Sequence, residues 1–306
     1  MNGKADVEKC YKSSLLHRIR VNFVSYSMVM PFLLVFFIFT VLPVFAAIAL
    51  SFTNFNMLEL PELVGLLNYK RLFLEDDTFL IAIKNTITFV FIIGPLSYIF
   101  SFMMAWIINE MPRKLRVFMT IVFYAPSVSG NVYFIWTYMF SGDSYGLVNG
   151  SLMKIGILRE PILWFSDPRY NLAIVILVQL WLSLGVSFLS FIAGFQSIDI
   201  TLYEAGFMEG IRNRFQELWH ITIPSMKSMM LFGAVMQIAG AFSAGPITQN
   251  LTGGYLSVRS STSTIINHMT DYGTVRYEMG YASAVGVVLF LMVVITKKII
   301  FKLLKW

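Results

Sequence analysis

The sequence lacks most of what soluble chemistry requires. One cysteine, Cys10, stands among 306 residues, so neither an internal disulfide nor a cysteine-based zinc site can form. His17, His220 and His268 are scattered one to a region, which argues against a metal centre. No G-x-x-x-x-G-K-S/T phosphate loop is present, so nothing in the chain is built to cradle a nucleotide. Neither a Ser-His-Asp set nor an H-E-x-x-H pair can be assembled, and no internal repeat or low-complexity linker is evident.

Charge is the next scarcity. No Asp, Glu, Lys or Arg occurs from Val21 to Leu58, Asn85 to Asn109, Val117 to Gly142, Tyr170 to Ile198, Ser228 to Val258 or Met279 to Thr296. Each block is long enough to cross a bilayer, which takes about 20 residues of helix. With 57% of residues hydrophobic, the chain reads as an all-α polytopic membrane protein with six transmembrane helices. The sequence divides into a tail at 1–22, a first helix and outer loop at 23–80, and a transmembrane domain at 81–306.

Six crossings place both ends on one side. Of the 23 Lys and Arg, 15 fall in the two tails, the 110–116 turn and the 199–227 segment. Positive charge marks the cytoplasmic side, so both termini are expected there. The net charge of +6 is then a topology signal rather than a sign of nucleic-acid binding. Ala47-Ile48-Ala49 has the form of a signal cleavage site, but the preceding apolar core exceeds the roughly 7 to 15 residues of a signal peptide. Asn149-Gly150-Ser151 and Asn250-Leu251-Thr252 match the glycosylation sequon, a pattern short enough to arise by chance.

The spans also lack the buried ionisable groups by which secondary carriers couple to ions. They hold neutral polar side chains, methionines, aromatics and the prolines Pro31, Pro43, Pro95, Pro126 and Pro246. Proline bends helices and frees carbonyls that polar partners must satisfy. Such a bundle suits passage of a neutral polar solute, with energy supplied by another chain.

Charge returns abruptly between the fourth and fifth blocks, in Tyr203-Glu-Ala-Gly-Phe-Met-Glu-Gly-Ile-Arg to Pro224. Thr201-x-x-Glu204 has the capping-box form that opens a helix. Gly210 is placed to end it in the left-handed conformation. Phe215, Leu218, Trp219 and Thr222 then recur at helical spacing, and Pro224 is placed to begin the fifth span. A helix, a glycine elbow and a second helix are expected over about 199–224; an ordinary helix lying along the headgroups would have the same pattern.

This segment resembles the EAA coupling loop of binding-protein-dependent ABC importer permeases, through Glu204-Ala205-Gly206, Glu209-Gly210-Ile211 and Ile221-Thr222-Ile223-Pro224. Gly206 replaces the second alanine of that pattern, Glu209 an aspartate, and one extra residue precedes Pro224. The resemblance extends to the carbohydrate importers of the maltose and glycerol-phosphate type. Val64-Gly65-Leu66-Leu67-Asn68-Tyr69, Asn85-Thr86, Gly146-Leu147-x-Asn149, Trp164-x-x-Asp167-Pro168, Ala193-Gly194-Phe195-Gln196-Ser197-Ile198, Leu251-Thr252-Gly253-Gly254 and Gly280-Tyr281-Ala282-Ser283-Ala284 follow in their order and spacing.

The resemblance implies a permease subunit of an ATP-driven sugar importer. Its implied partners are a second homologous permease, two ATPase subunits that bind the ATP and magnesium, and an extracytoplasmic solute-binding protein; the chain itself holds no cofactor. Glu204, Ala205, Gly206, Glu209, Gly210, Ile211 and Pro224 would meet or shape the contact with the ATPase. Carried over from the maltose-type members, the sugar-contacting positions are Gln179, Leu182, Ser183, Val186, Met236, Gly240 and Ser243.

Residue chemistry adds Trp181, Ser187, Gln237 and Phe242, since sugars are held by neutral hydrogen-bonding groups and aromatic faces. Any of these polar residues could equally bond a neighbouring helix. Tyr124, Tyr133 and Trp136 would line the path or simply pack. Alternatives are an importer of the same build carrying glycerol phosphate or another small polar solute, a stand-alone channel or secondary carrier, and an intramembrane enzyme.

Overall fold

The computed structural model describes residues 22–130, 132–253, 257 and 260–303. Cys10, His17, Gly254 and nearly all of the 1–22 tail lie outside them. The described chain is helical, with no strand beyond an isolated bridge between Thr53 and Leu63.

Three helices are each long and apolar enough to cross a membrane: α1 (Phe23–Leu50), α3 (Asp77–Asn109) and α14 (Met279–Leu303). Three broken pairs are candidates for further crossings: α4 (Arg113–Val128) with α5 (Tyr133–Met139), α7 (Asn171–Leu182) with α8 (Val186–Gln196), and α10 (Arg214–Ser225) with α11 (Lys227–Phe242). Shorter helices connect them: α2 (Leu67–Leu74), α6 (Leu147–Lys154), α9 (Ile200–Met208), α12 (Gly245–Thr252) and α13 (Ile265–Thr270).

The mast of the bundle is α3. Its buried residues run Phe79, Ala82, Thr86, Phe89, Ile93, Ser97, Ser101, Ala105 and Ile108, a single stripe at helical spacing. The stripe threads three successive cores. Phe79 and Ala82 join Leu72, Ile265, Tyr272, Tyr281 and Val285 at one end. Phe89 and Ile93 join Val175, Val178, Ile238 and Phe242 in the middle. Ala105 and Ile108 join Leu184, Phe188, Phe191, Phe195 and Met226 at the other end. Small residues set the helix spacing: a β-carbon on Gly233 of α11 would overlap the Phe191 ring of α8, and one on Gly194 would stand 2.6 Å from Met226 Cε.

Prolines and breaks do not coincide throughout. Pro95 lies inside the uninterrupted α3, Pro43 inside α1 just past a π-helical turn at Phe37–Val41, and Pro246 in the first turn of α12, where the missing N–H is no loss. The fourth charge-free block breaks at Ser183-Leu184-Gly185 with a 41° bend, a stretch without proline. The helix that carries the fifth block, α11, begins at Lys227, and α10 meets it at 83°. Pro224 thus lies inside α10, two residues before the turn at Met226, and does not open the span.

At the end of the bundle away from α9, the motif residues of the connecting segments form a knot. Asn68 Nδ2 donates to the carbonyls of Ser51 (2.9 Å) and Thr53 (2.8 Å), and Asn85 Nδ2 to those of Ser260 and Ser263 (both 2.9 Å). Buried Asn149 donates to Ser141, Asp143 and Ile162 carbonyls and accepts from Ile162 N and Trp164 Nε1. Gly280 donates to Phe55 O (2.9 Å), and a β-carbon there would overlap the Thr53 carbonyl.

Candidate functional site: an exposed elbow and a polar seam

The elbow is built by local rules. Asp199, not Thr201, is the N-cap of α9, its Oδ1 accepting from Thr201 N at 3.0 Å; these hydrogen bonds hold its carboxyl below the usual range. Glu204 therefore sits a full turn inside the helix, too deep to close a capping box. It is exposed and has no side-chain partner among the described residues.

The helix ends in a Schellman motif. Ile211 N bonds Gly206 O (2.9 Å), Gly210 N bonds Phe207 O (3.2 Å), and Gly210 takes φ +97°. The returning helix α10 starts at the N-cap Asn213 and folds back so that Ile221 covers Gly206, where a β-carbon would stand 2.6 Å from Ile221 Cδ1. Tyr203 and Thr222 hydroxyls meet at 2.9 Å. The departure from alanine at Gly206 is thus explained by the size of Ile221.

The root of the elbow is braced while its tip is bare. Arg214 pairs with Glu217 (2.8 Å) and with Glu110 at the end of α3 (3.4 Å), and these carboxylates raise its guanidinium pKa. Phe215 lies edge-on to Trp106 at 5.5 Å. At the tip Leu202, Phe207 (67% exposed) and Met208 (85% exposed) face outward beside Glu204, Ala205 and Glu209. Apolar side chains this exposed, rimmed by charge, mark a contact surface.

The polar seam lies at the break between α7 and α8. Interrupting the helix frees the Ser183 carbonyl, which accepts from Gly185 N (2.8 Å), Gln237 Nε2 (3.1 Å) and Ser101 Oγ (3.4 Å). Gln237 Nε2 also donates to Ser101 Oγ at 2.8 Å, so one amide ties α3, α7 and α11 together. Ser101 was not legible as a partner, since nothing in its own stretch distinguishes it.

The other seam residues divide. Gln179 is buried with Oε1 unpartnered among the described residues. Trp181 stands edge-on to Trp136 at 5.4 Å, Phe242 belongs to the middle core with Tyr133, Trp136 and Leu182 against it, and Ser187 is buried. Val186 and Ser243 are exposed, Met236 and Gly240 half-buried, and nothing lies within 4 Å of where a Gly240 β-carbon would be. The bundle therefore presents a neutral face with amide and hydroxyl groups just behind it.

A titratable cluster at the opposite end escaped the sequence reading. His268 is fully buried, with Nε2 at 3.1 Å from Asp76 Oδ2, to which Tyr281 also donates at 2.7 Å. Arg71 pairs with Glu278 and lies over the Tyr281 ring. The partners come from α2, α3, α13 and α14, so only the fold brings them together.

An all-helical bundle with a broken span, a neutral polar seam and a projecting elbow is the architecture of a solute-transport subunit. Residues 99–304 match the family model of the binding-protein-dependent transport system inner membrane component, and the chain belongs to that family. It is 31% identical over 284 residues to the probable ABC transporter permease protein YesP of Bacillus subtilis, covering 92% of this chain and 90% of that one. The lactose transport system permease protein LacF of Rhizobium radiobacter is 30% identical, with 93% and 94% covered.

The fold matches a chain of a bacterial ABC transporter involved in the import of the acidic polysaccharide alginate, with TM-score 0.76, 22% identity, and 95% and 98% covered. The resemblance drawn from the elbow and connecting-segment motifs is borne out. The family is a transport component, so this chain serves passage rather than catalysis.

Proposed function

We propose that this chain is one permease subunit of an ATP-driven importer that carries a sugar or oligosaccharide across the cytoplasmic membrane. It has six spans, each broken pair counting as one, and both termini in the cytoplasm. Residues 23–80 form the peripheral first span and outer loop, and 81–306 the translocating domain. A second homologous permease completes the passage against the Val186, Met236, Gly240 and Ser243 face. Two ATPase subunits, which bind the ATP and magnesium, dock at the elbow, and an extracytoplasmic binding protein delivers solute to the knotted end.

The observation that carries this reading is the elbow, fixed at its root by Glu110–Arg214 and Tyr203–Thr222 yet bare at Glu204, Phe207, Met208 and Glu209. A rigid stalk with an uncovered apolar and acidic tip is suited to transmit movement from another protein. A sugar is favoured because the seam is neutral, with Gln179, Ser183, Gln237 and Trp181 and no lysine or arginine to hold a phosphate ester. The relatives named for lactose and arabinooligosaccharide transport support the same class.

The test is purification of the tagged chain in mild detergent with identification of bound proteins by mass spectrometry, alongside Glu204→Lys. An ATPase and a second permease should co-purify, with the ATPase depleted in the variant. A chain recovered alone, from a preparation that keeps other complexes intact, would overturn the reading.

A further inference from the structure

The first turn of α4 has a charge arrangement that the coupling function does not use. A cavity of about 470 Å³ opens there, lined by Arg113, Arg116, Val117, Thr120 and Ile121 of α4 and by Ile192 and Gln196 of α8. The α4 residues fall at i, i+3, i+4, i+7 and i+8, one face of a helix. Along that face two guanidinium groups at the helix start give way to Val117, the Thr120 hydroxyl and Ile121. Val117 and Ile121 are 55% and 62% exposed, and eight residues of helix separate Arg113 from Ile121 by roughly 12 Å.

Among the described residues the cationic end is not neutralised, and none of their carboxylates lines the cavity. The nearest acidic residue in sequence, Glu110, is engaged by Arg214 at 3.4 Å. Among the described residues neither Arg113 nor Arg116 has an ion-pair partner, and Arg116 Nε is buried without a hydrogen bond although its Nη2 donates to Met111 O at 3.2 Å. The helix start compounds the imbalance: Pro112 supplies no side-chain cap and the first turn holds no acidic residue, the reverse of what a helix N-terminus prefers. Two guanidinium groups lining one cavity, one with a buried and unpartnered Nε–H among the described residues, suit an anionic occupant.

We propose that this cavity is a binding site for an anionic phospholipid. The phosphate sits between Arg113 and Arg116, the Gln196 amide meets the glycerol ester groups, and one acyl chain runs along Val117, Ile121 and Ile192. A free phosphate would satisfy the arginines but leave the aliphatic wall bare, and an uncharged lipid would do the opposite. Basic pockets between membrane helices bind such headgroups, and the volume falls within the range of small-molecule sites. The proposal requires only that the chain lie in a bilayer; it does not depend on which partner the elbow recruits. Because residues 110–112 join the Arg214-paired end of α3 to this turn, the bound lipid would also steady the root of the elbow.

The test is native mass spectrometry of the full-length chain and of its assembled complex in detergent, titrated with phosphatidylglycerol, phosphatidylcholine or inorganic phosphate. Phosphatidylglycerol should be retained over phosphatidylcholine, with retention falling about fivefold for each of Arg113→Gln and Arg116→Gln. Lys114→Gln removes the same charge one position away from the cavity lining and should retain the lipid. Ile121→Asn should weaken phosphatidylglycerol without affecting phosphate.

Equal loss in Lys114→Gln would overturn the site in favour of a general interfacial charge effect. Full competition by inorganic phosphate would reduce it to an anion site. Lipid retained by the isolated chain but absent from the complex would assign the cavity to a subunit interface. If Glu204→Lys failed to release an ATPase, lipid retention would be unchanged, which separates this inference from the transport reading.

Discussion

Gly206 and Ile221 are in contact across the elbow: the glycine carries no side chain, and the isoleucine fills the place where one would be. The two legs of the coupling segment can lie together only because one residue is small where the other is large.

Gly206→Val should force the legs apart, at about 1 to 3 kcal/mol for overpacking. ATPase co-purification should fall while membrane insertion is retained. Adding Ile221→Ala should restore part of the binding; a double variant as poor as the single one would show that the spacing is not what matters.

Gly210 ends α9 at φ +97° with no atom within 4 Å of an added β-carbon. Gly210→Ala therefore tests backbone conformation alone, and about 1 to 2 kcal/mol of strain is expected. Solute-stimulated ATP hydrolysis by the reconstituted importer should drop, with the thermal stability of the rest of the bundle little changed.

Gln237 serves the Ser183 carbonyl and Ser101 together. Replacing it with leucine removes both donations: Ser101 Oγ loses its donor and the Ser183 carbonyl keeps only Gly185 N and Ser101 Oγ, at about 1 to 3 kcal/mol. Thermal unfolding in detergent should show the loss. Gln179→Leu should cost less stability than Gln237→Leu, because the Gln179 oxygen has no partner among the described residues to lose.

Asn149 engages five backbone and side-chain groups while fully buried. Asn149→Ala should destabilise the fold by several buried, unpaired groups, each about 1 to 3 kcal/mol before relaxation. The same burial predicts that Asn149 is not glycosylated when the chain is made in a eukaryotic secretory system, measurable by a glycosidase mobility assay.

Burial of Asp76 opposes its charge, but hydrogen bonds from His268, Thr78, Tyr281 and the Phe79 N–H outweigh that and hold the carboxyl well below 3.8. A depressed carboxylate contributes stability that is present above its unfolded value and is lost as pH falls below it. The knot should loosen below about pH 4, seen as a falling melting temperature. Asp76→Asn should be less stable at neutral pH and flatter across that range.

Much of this architecture is local and could be read from the residues. Charge-free blocks mark the helices that lie in the membrane, and Gly210 announces the end of α9 because left-handed backbone favours one residue type. What was hidden depends on distant partners. The Ser183–Gly185 break carries no proline and is held open by an amide from α11, and Asp199 captured the cap because it precedes Thr201 with its side chain free to reach the N–H. Asn149 read as part of a sequon and His268 as one of three scattered histidines, since their partners lie in other helices or beyond the next turn.

The peripheral placement of α1 bears on how the protein is made. Its Leu42–Leu50 half packs chiefly on α14, and Gly280 clasps the strand of chain just after it. α1 thus leaves the ribosome well before α14, the helix it packs on. At about 5 to 20 residues per second of synthesis, roughly 10 to 50 seconds pass before its seat exists. A nascent chain cut short before residue 280 would carry α1 without that seat, an open end for quality-control proteases to recognise.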